Sequence, residues 1–139
     1  MNRFFSIFLW VIALGGSSCS RDTDNQIPFV GVNVEININN PQYINLNRVG
    51  GSALAQGGIR GLILFRSSQE QVVAYDRQSP YQIDQGCTLT IDSSEIYALD
   101  TCSQSKFLLF DGTPTEGPAT RPLIAYQTSF DGTIVRVFN

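Results

Sequence analysis

The sequence predicts an all-β domain, and three observations carry this prediction. Residues 32–38 alternate strictly between apolar and polar side chains, residues 61–65 form a continuous apolar run, and Asp131-Gly132 separates two segments rich in β-branched and aromatic residues. The first pattern has the period of a strand with one buried face, and the second has the length of a strand that is buried on both faces. The third is a hairpin turn signal. No segment shows the period of an amphipathic helix, and we find no internal repeat.

The other strands are predicted from turn signals between short apolar segments. The strand at residues 32–38 ends before Pro41, because proline has no amide donor for a ladder and the two preceding asparagines tolerate turn geometry. Two further hairpins are expected. They join residues 61–65 to residues 71–75, and residues 87–91 to residues 96–99.

The C-terminal hairpin is the most clearly predicted element. Asp131 and Gly132 are the residue types of a two-residue type I′ turn, in which both central residues have positive φ. Counting outward from this turn gives a register with one largely apolar face, which should face the core. The predicted cross-strand pairs are Phe130 with Thr133, Thr128 with Val135, and Tyr126 with Val137.

The N-terminus predicts export. Arg3 precedes an apolar run at residues 4–14, which is too short to span a bilayer but typical of a signal peptide. The run ends in small residues before Cys19, a pattern that resembles a bacterial lipobox, although Gly16 stands where a branched aliphatic residue is usual. We therefore expect residues 1–18 to be a signal peptide and Cys19 to be diacylated. The alternative is an ordinary signal peptide that leaves Cys19 as a thiol.

The predicted mature chain has one tether and one domain. Residues 19–27 are short and mostly polar, as expected of a tether from the lipid, and residues 28–139 form the β domain. Removal of Arg3 leaves eight basic residues against twelve acidic ones, so the mature net charge is −4. No basic cluster is present. This charge pattern excludes a nucleic-acid-binding role, and we expect the membrane to be a partner through the lipid.

Four segments in the second half of the chain resemble the Rieske family. Residues 74–81 resemble the first cluster loop, which carries Cys-x-His after a strand and turn, and residues 103–107 (SQSKF) resemble the end of the second, where Cys-x-x-His precedes Gly-Ser-x-Phe. Residues 111–113 and 117–123 (GPATRPL) resemble the family's turn and Gly-Pro-x-x-x-Pro-Leu loop. The chain is also similar to lipid-anchored Rieske-like proteins of Bacteroidetes. The resemblance implies a Rieske-like antiparallel β sandwich with a small, loop-rich former cluster-binding subdomain.

The cluster ligands of the family are absent at the matching positions. A Rieske cluster takes two thiolates on one iron and two imidazoles on the other. Carried over by the resemblance, these positions hold Ser79, Tyr81, Asp100 and Ser103. A shift of one residue in the second loop would instead place Cys102 at a histidine position. The chain has no histidine, so its composition excludes a conventional Rieske centre, and we expect no cofactor and no metal.

Two cysteines remain if Cys19 is lipidated. A cysteine pair in an exported protein usually forms a disulfide, and some Rieske domains join their cluster loops in this way, so we expect Cys87 to be bonded to Cys102. Two alternatives stay open. One is a thiolate metal site helped by Asp84 or Asp100, and the other is a catalytic dithiol, although the pair lacks Cys-x-x-Cys spacing.

The sequence favours a non-catalytic envelope role. Ser79 has no histidine base, so a hydrolase is not supported, and no catalytic residue is predicted. In the Rieske fold the cluster loops and the Gly-Pro loop meet at one tip, where an envelope protein or a glycan is the expected partner. This tip comprises Pro80, Tyr81, Gln82, Gln104 and Pro118. We expect a structural or partner-binding lipoprotein, most naturally of the outer membrane. The alternative is electron transfer through an iron–sulfur or thiol redox centre, as the resemblance implies.

Overall fold

The computed structural model describes residues 27–139. The predictions of a signal peptide at residues 1–18, of lipidation at Cys19 and of nearly all of the tether lie outside the described residues. Among residues 27–139 there is no helix long and apolar enough to cross a membrane.

The larger of two sheets has six strands, and every neighbouring pair is antiparallel. Its strands in spatial order are β1 (Asn33–Asn37), β10 (Ile134–Phe138), β9 (Ala125–Phe130), β4 (Val72–Asp76), β3 (Leu62–Arg66) and β2 (Ser52–Ala55). A 3-10 helix at Pro41–Asn47 follows β1 and contacts β2. The alternating segment predicted from the sequence is therefore an edge strand, and it buries Ile36 toward the core.

The smaller sheet is inserted between β4 and β9. Its strands in spatial order are β5 (Leu89–Ile91), β6 (Tyr97–Asp100), β7 (Lys106–Leu108) and β8 (Pro114–Glu116), all antiparallel. A short 3-10 helix at Ile83–Gln85 lies in the loop between β4 and β5. This arrangement confirms the predicted all-β class, and the segments that resemble cluster loops lie at the end of β4 and in the smaller sheet with its loops.

Strand β3 packs against two cores because both of its faces are covered. Leu62 and Leu64 belong to the core of the large sheet, whereas Ile63 and Phe65 belong to a second core shared with the small sheet. All four side chains are at most 3% exposed. This two-sided burial explains why the strand is apolar at consecutive positions, as predicted.

The predicted register of the C-terminal hairpin is wrong by two residues. The observed pairs are Phe130 with Val135 and Thr128 with Val137. The Asp131 carboxylate accepts hydrogen bonds from the backbone N–H groups at positions 133 and 134, at 2.9 and 2.7 Å, so Asp131 starts the turn instead of occupying its centre. Of the two residues assigned to the turn, only Gly132 has positive φ. The shift changes each partner by two residues, so the predicted apolar face still points toward the core.

Candidate functional site

The first loop that resembles a cluster loop begins at Ser79. Ser79 directly follows Gln78, which forms an isolated antiparallel bridge with Thr88, and the Ser79 backbone N–H donates to the Cys87 carbonyl oxygen at 2.9 Å. The second loop begins at Asp100, the last residue of β6. Both Ser79 and Asp100 are fully buried. Two polar side chains that are far apart in sequence are thus enclosed at the end of the small sheet.

The Asp100 carboxylate is the centre of a hydrogen-bond network between the two loops. The hydroxyls of Ser79 and Ser103 each donate to its Oδ2 atom at 2.7 Å. The backbone N–H of Cys102 donates to its Oδ1 atom at 2.9 Å. A buried carboxylate requires such donors, because leaving it unpaired in the interior would cost several kcal/mol. Three of the four positions that the resemblance aligns with cluster ligands therefore bond to one another.

The network continues through Ser105 into a third loop. The Ser105 hydroxyl lies 2.8 Å from the Ser103 hydroxyl and accepts a hydrogen bond from the Ala119 backbone N–H at 3.0 Å. Since Ser103 donates its only hydroxyl proton to Asp100, the Ser105 hydroxyl must be the donor in its hydrogen bond with Ser103. The donors therefore point in one direction, from the Gly-Pro loop to the carboxylate. Sequence reasoning included Ser105 in a motif but did not predict this link.

Tyr81, the fourth aligned position, joins the network through its backbone. Its N–H donates to the Ser79 hydroxyl oxygen at 3.1 Å. Its side chain is half-buried and packs against the second core. Tyr81 therefore supports the loop by packing, and only part of its ring is accessible.

The predicted disulfide is confirmed between Cys87 and Cys102. The Sγ atoms are 2.01 Å apart and the Cα atoms 6.0 Å apart, within the range that disulfides adopt. Cys87 lies before β5 and is 6% exposed, whereas Cys102 lies after β6 and is exposed. The bond joins the same two loops as the Asp100 network, so a covalent and a polar connection act together.

The two sulfurs and the Asp100 carboxylate lie within 4.8 Å of one another. Thiolates, and not disulfide sulfurs, are the ligands of zinc and iron. In its disulfide form this group therefore lacks the donors for the thiolate metal site that the sequence left open.

The predicted tip differs from expectation at Pro80. Pro80 is buried and so offers no surface to a partner, whereas Gln82, Gln104 and Pro118 are exposed. Gln82 and Gln104 have φ values of 46° and 62°, a left-handed conformation that costs residues with a Cβ about 1–2 kcal/mol. The two strained glutamines lie one in each loop of the network. Backbone strain of this kind clusters at functional sites.

A second buried carboxylate, Asp76, holds the junction between the sheets. It accepts hydrogen bonds from the backbone N–H groups of Ile59 and Gln78, at 2.5 and 2.7 Å, and from the Tyr126 hydroxyl at 2.7 Å. Burial, and then the bond to Asp76, raise the pKa of Tyr126 above its ordinary value. A Cβ at Gly58 would collide with this carboxylate, which explains the glycine there. Asp76 and Tyr126 are separated by 50 positions in the chain, so the sequence alone did not predict this contact.

Known structures share this architecture. The cyanobacterial plasma-membrane Rieske protein PetC3 from Synechocystis PCC 6803 superposes with a TM-score of 0.58 at 17% identity, covering 78% of this chain and 99% of its own. The ferredoxin of carbazole 1,9a-dioxygenase from Nocardioides aromaticivorans IC177 gives a TM-score of 0.51 at 17% identity, covering 79% and 98%. No protein-family model matches the chain, and no curated protein is significantly similar to it. The chain therefore has a Rieske-like fold.

The residues present do not fit a Rieske cluster. The chain has no histidine, and a Rieske centre takes two imidazoles. Its only cysteines near the aligned positions are bonded to each other. The Asp100 carboxylate already accepts three hydrogen bonds on its two oxygens. We therefore assign no chemistry to an iron–sulfur group at this site.

Proposed function

We propose that this chain is a non-catalytic cell-envelope lipoprotein of the Bacteroidetes type, with a Rieske-like domain that has lost its iron–sulfur ligands and serves a structural or partner-binding role. The observation that carries the proposal is the Asp100 network. Serine hydroxyls and a carboxylate occupy three of the aligned ligand positions and satisfy one another's hydrogen bonds. A polar network of this kind replaces the structural role of a cluster by joining the same loops.

Burial of the network also argues against catalysis. Ser79 is the only hydroxyl of the first loop that sequence reasoning considered as a nucleophile, and it is fully buried with its proton committed to Asp100. A nucleophile needs access to substrate and a base whose conjugate acid can later return the proton. Ser79 is enclosed and lacks this access, which supports a role that is not enzymatic.

Electron transfer is the second candidate function, in the form of a thiol redox centre. Cys102 is exposed, so an external dithiol can reach its sulfur. Exchange between thiols and disulfides requires such access to the attacked sulfur. The two candidates differ in whether the Cys87–Cys102 bond cycles between states during function or only stabilises the fold.

The envelope assignment rests on the N-terminal sequence. We expect the mature chain to begin at an acylated Cys19 and to partition with membranes, because two acyl chains give stable anchoring at about 0.8 kcal/mol per buried CH₂. Cys19→Ser should move the protein to the soluble fraction or leave it as the unprocessed precursor. Mass spectrometry of the mature N-terminus together with membrane fractionation measures this outcome. An unmodified chain that is cleaved elsewhere and recovered as a soluble protein would contradict it.

The exposed part of the tip is proposed to bind another envelope component, either a protein or a glycan. Loops on a rigid β scaffold are where binding residues concentrate, and a half-buried tyrosine offers an amphipathic surface. Tyr81→Ala combined with Gln82→Ala should therefore weaken the capture of crosslinked partners in the envelope. Part of the Tyr81 ring packs in the second core, so a loss of about 1 kcal/mol of stability is also expected.

A matched control exists in the 3-10 helix between β1 and β2. Gln42 and Tyr43 are the same residue types in adjacent positions, with Gln42 exposed and Tyr43 half-buried against the first core. Gln42→Ala combined with Tyr43→Ala should lower stability without reducing capture. If the Tyr81 and Gln82 variant loses only stability and still captures partners as the wild type does, the binding role of this tip is wrong.

A further inference from the structure

The anchor end of the domain presents three consecutive exposed residues of low polarity. This anchor-proximal patch consists of Ile27, Pro28 and Phe29. Phe29 is 86% exposed, the largest exposure of any large apolar side chain in residues 27–139, and Ile27 is 43% exposed. An isolated exposed apolar side chain is ordinary, but a run of them at one end of a domain is typical of a surface that contacts a partner or a membrane.

The patch is held in place by the chain terminus. The Asn139 side chain donates to the Val30 carbonyl oxygen at 2.8 Å and accepts from the Val32 backbone N–H at 2.9 Å. The backbone that directly follows Phe29 is therefore fixed to Asn139 by two hydrogen bonds. A shallow groove of about 230 Å³ lies beside it, and none of its lining side chains carries a charge. The groove is lined by residues 27–30, residues 124–126 and Asn139.

The position of the patch in the chain determines what lies nearest to it. Only residues 20–26 separate the proposed acylated Cys19 from Ile27, and the eight backbone steps between these two residues span at most about 28 Å when fully extended. The bilayer that holds the lipid is therefore always within reach of the patch. Phe29 lies next to a groove that includes Tyr126 and has no charged side chain, and aromatic side chains are enriched at the lipid–water boundary.

We propose that the anchor-proximal patch contacts the bilayer directly and inserts Phe29 at the lipid–water interface. This inference rests on the proposed lipidation of Cys19. Contact at two places, the acyl chains and Phe29, fixes how the domain stands on the membrane. Strand pairing places this end of the large sheet beside the end of β4, because Asn33 pairs with Phe138 and Ala125 pairs with Tyr75. The small sheet follows β4 directly, so it is connected to the end of the large sheet that faces the bilayer.

The chain permits a clean fluorescence test of this contact. Its only tryptophan, Trp10, lies in the predicted signal peptide, so the mature protein has none. Phe29→Trp therefore gives a single reporter at the patch. The matched control is Ile44→Trp, since Ile44 is 54% exposed and lies in the 3-10 helix beyond the opposite end of β1. Both acylated proteins are reconstituted in vesicles of phosphatidylethanolamine and phosphatidylglycerol, with and without phosphatidylcholine brominated on its acyl chains.

The expected result is that both proteins float with the vesicles, and that only the Phe29→Trp emission shifts to the blue and is quenched by the brominated lipid. Flotation of both proteins with equal, weak quenching overturns the contact and leaves the lipid anchor intact. A blue shift at Phe29→Trp without quenching also overturns it, because protein and not lipid then covers the patch. Failure of both proteins to float overturns the proposed anchor and this inference with it.

Discussion

Asp100→Ala is expected to lower the free energy of unfolding by about 3–5 kcal/mol. The substitution removes a fully buried acceptor of three hydrogen bonds, so the Ser79 and Ser103 hydroxyls and the Cys102 N–H each lose a partner. Each buried donor without a partner costs about 1–3 kcal/mol. Chemical denaturation of the oxidised protein, with the disulfide intact, measures the loss.

Two variants separate the network from general effects of charge. Asp84→Ala removes an exposed carboxylate from the first loop and should change stability by no more than about 0.5 kcal/mol. Asp100→Asn keeps one acceptor oxygen but presents an NH₂ group to donors, so its loss should approach that of alanine. A loss below about 1 kcal/mol for Asp100→Ala would show that the network does not hold the loops together.

Removal of the disulfide is expected to cost about 3 kcal/mol. Cys87→Ala combined with Cys102→Ala opens a loop with a sequence separation of 15 residues, and the chain-entropy model assigns about 3 kcal/mol to a loop of this size. Alanine suits both positions because it leaves no free thiol. Denaturation curves of the double variant and of the wild type, each with and without a dithiol reductant, measure the effect.

The reductant serves as the internal control. It should destabilise the wild type by nearly the same amount as the double substitution does, and it should leave the double variant unchanged. The circular dichroism spectrum should be preserved in the reduced wild type and in the double variant, since the sheets do not depend on the disulfide. A wild type whose stability is indifferent to reductant, or free-thiol labelling of both cysteines before reduction, would contradict a stabilising disulfide.

The sequence predicts most of the strands because the burial of a strand requires apolar residues at regular positions. The two covered faces of β3 require apolar residues at consecutive positions, and the half-buried β1 requires alternation. The disulfide between Cys87 and Cys102 was also predictable, because only two cysteines remain once Cys19 is assigned to the proposed lipid anchor. These features depend on local periodicity or on counting, which need no knowledge of tertiary contacts.

Features that depend on tertiary contacts were not predicted. The hairpin register changed because the Asp131 carboxylate capped its own turn, which residue type alone does not decide. The bond between Asp76 and Tyr126 and the role of Ser105 join residues from different loops and strands. Pro80 was assigned to an exposed tip, yet the packing of the loop buries it. Asp76 and Ser105 are thus placed by partners that are distant in sequence, whereas the Asp131 turn depends on local hydrogen bonds.

Hydrogen bonds and a disulfide join the two loops that resemble the cluster loops of Rieske proteins. The most direct test of the proposed ligand loss is the iron and acid-labile sulfide content of the wild-type protein, purified without oxygen from cells supplied with iron and sulfide, together with its visible absorption spectrum. We predict a colourless protein with far less than one iron per chain, because the chain has no histidine and its aligned positions hold Ser79, Tyr81, Asp100 and Ser103. Two iron and two sulfide per chain with visible charge-transfer bands would show that the chain holds a cluster and would contradict the proposed loss of its ligands.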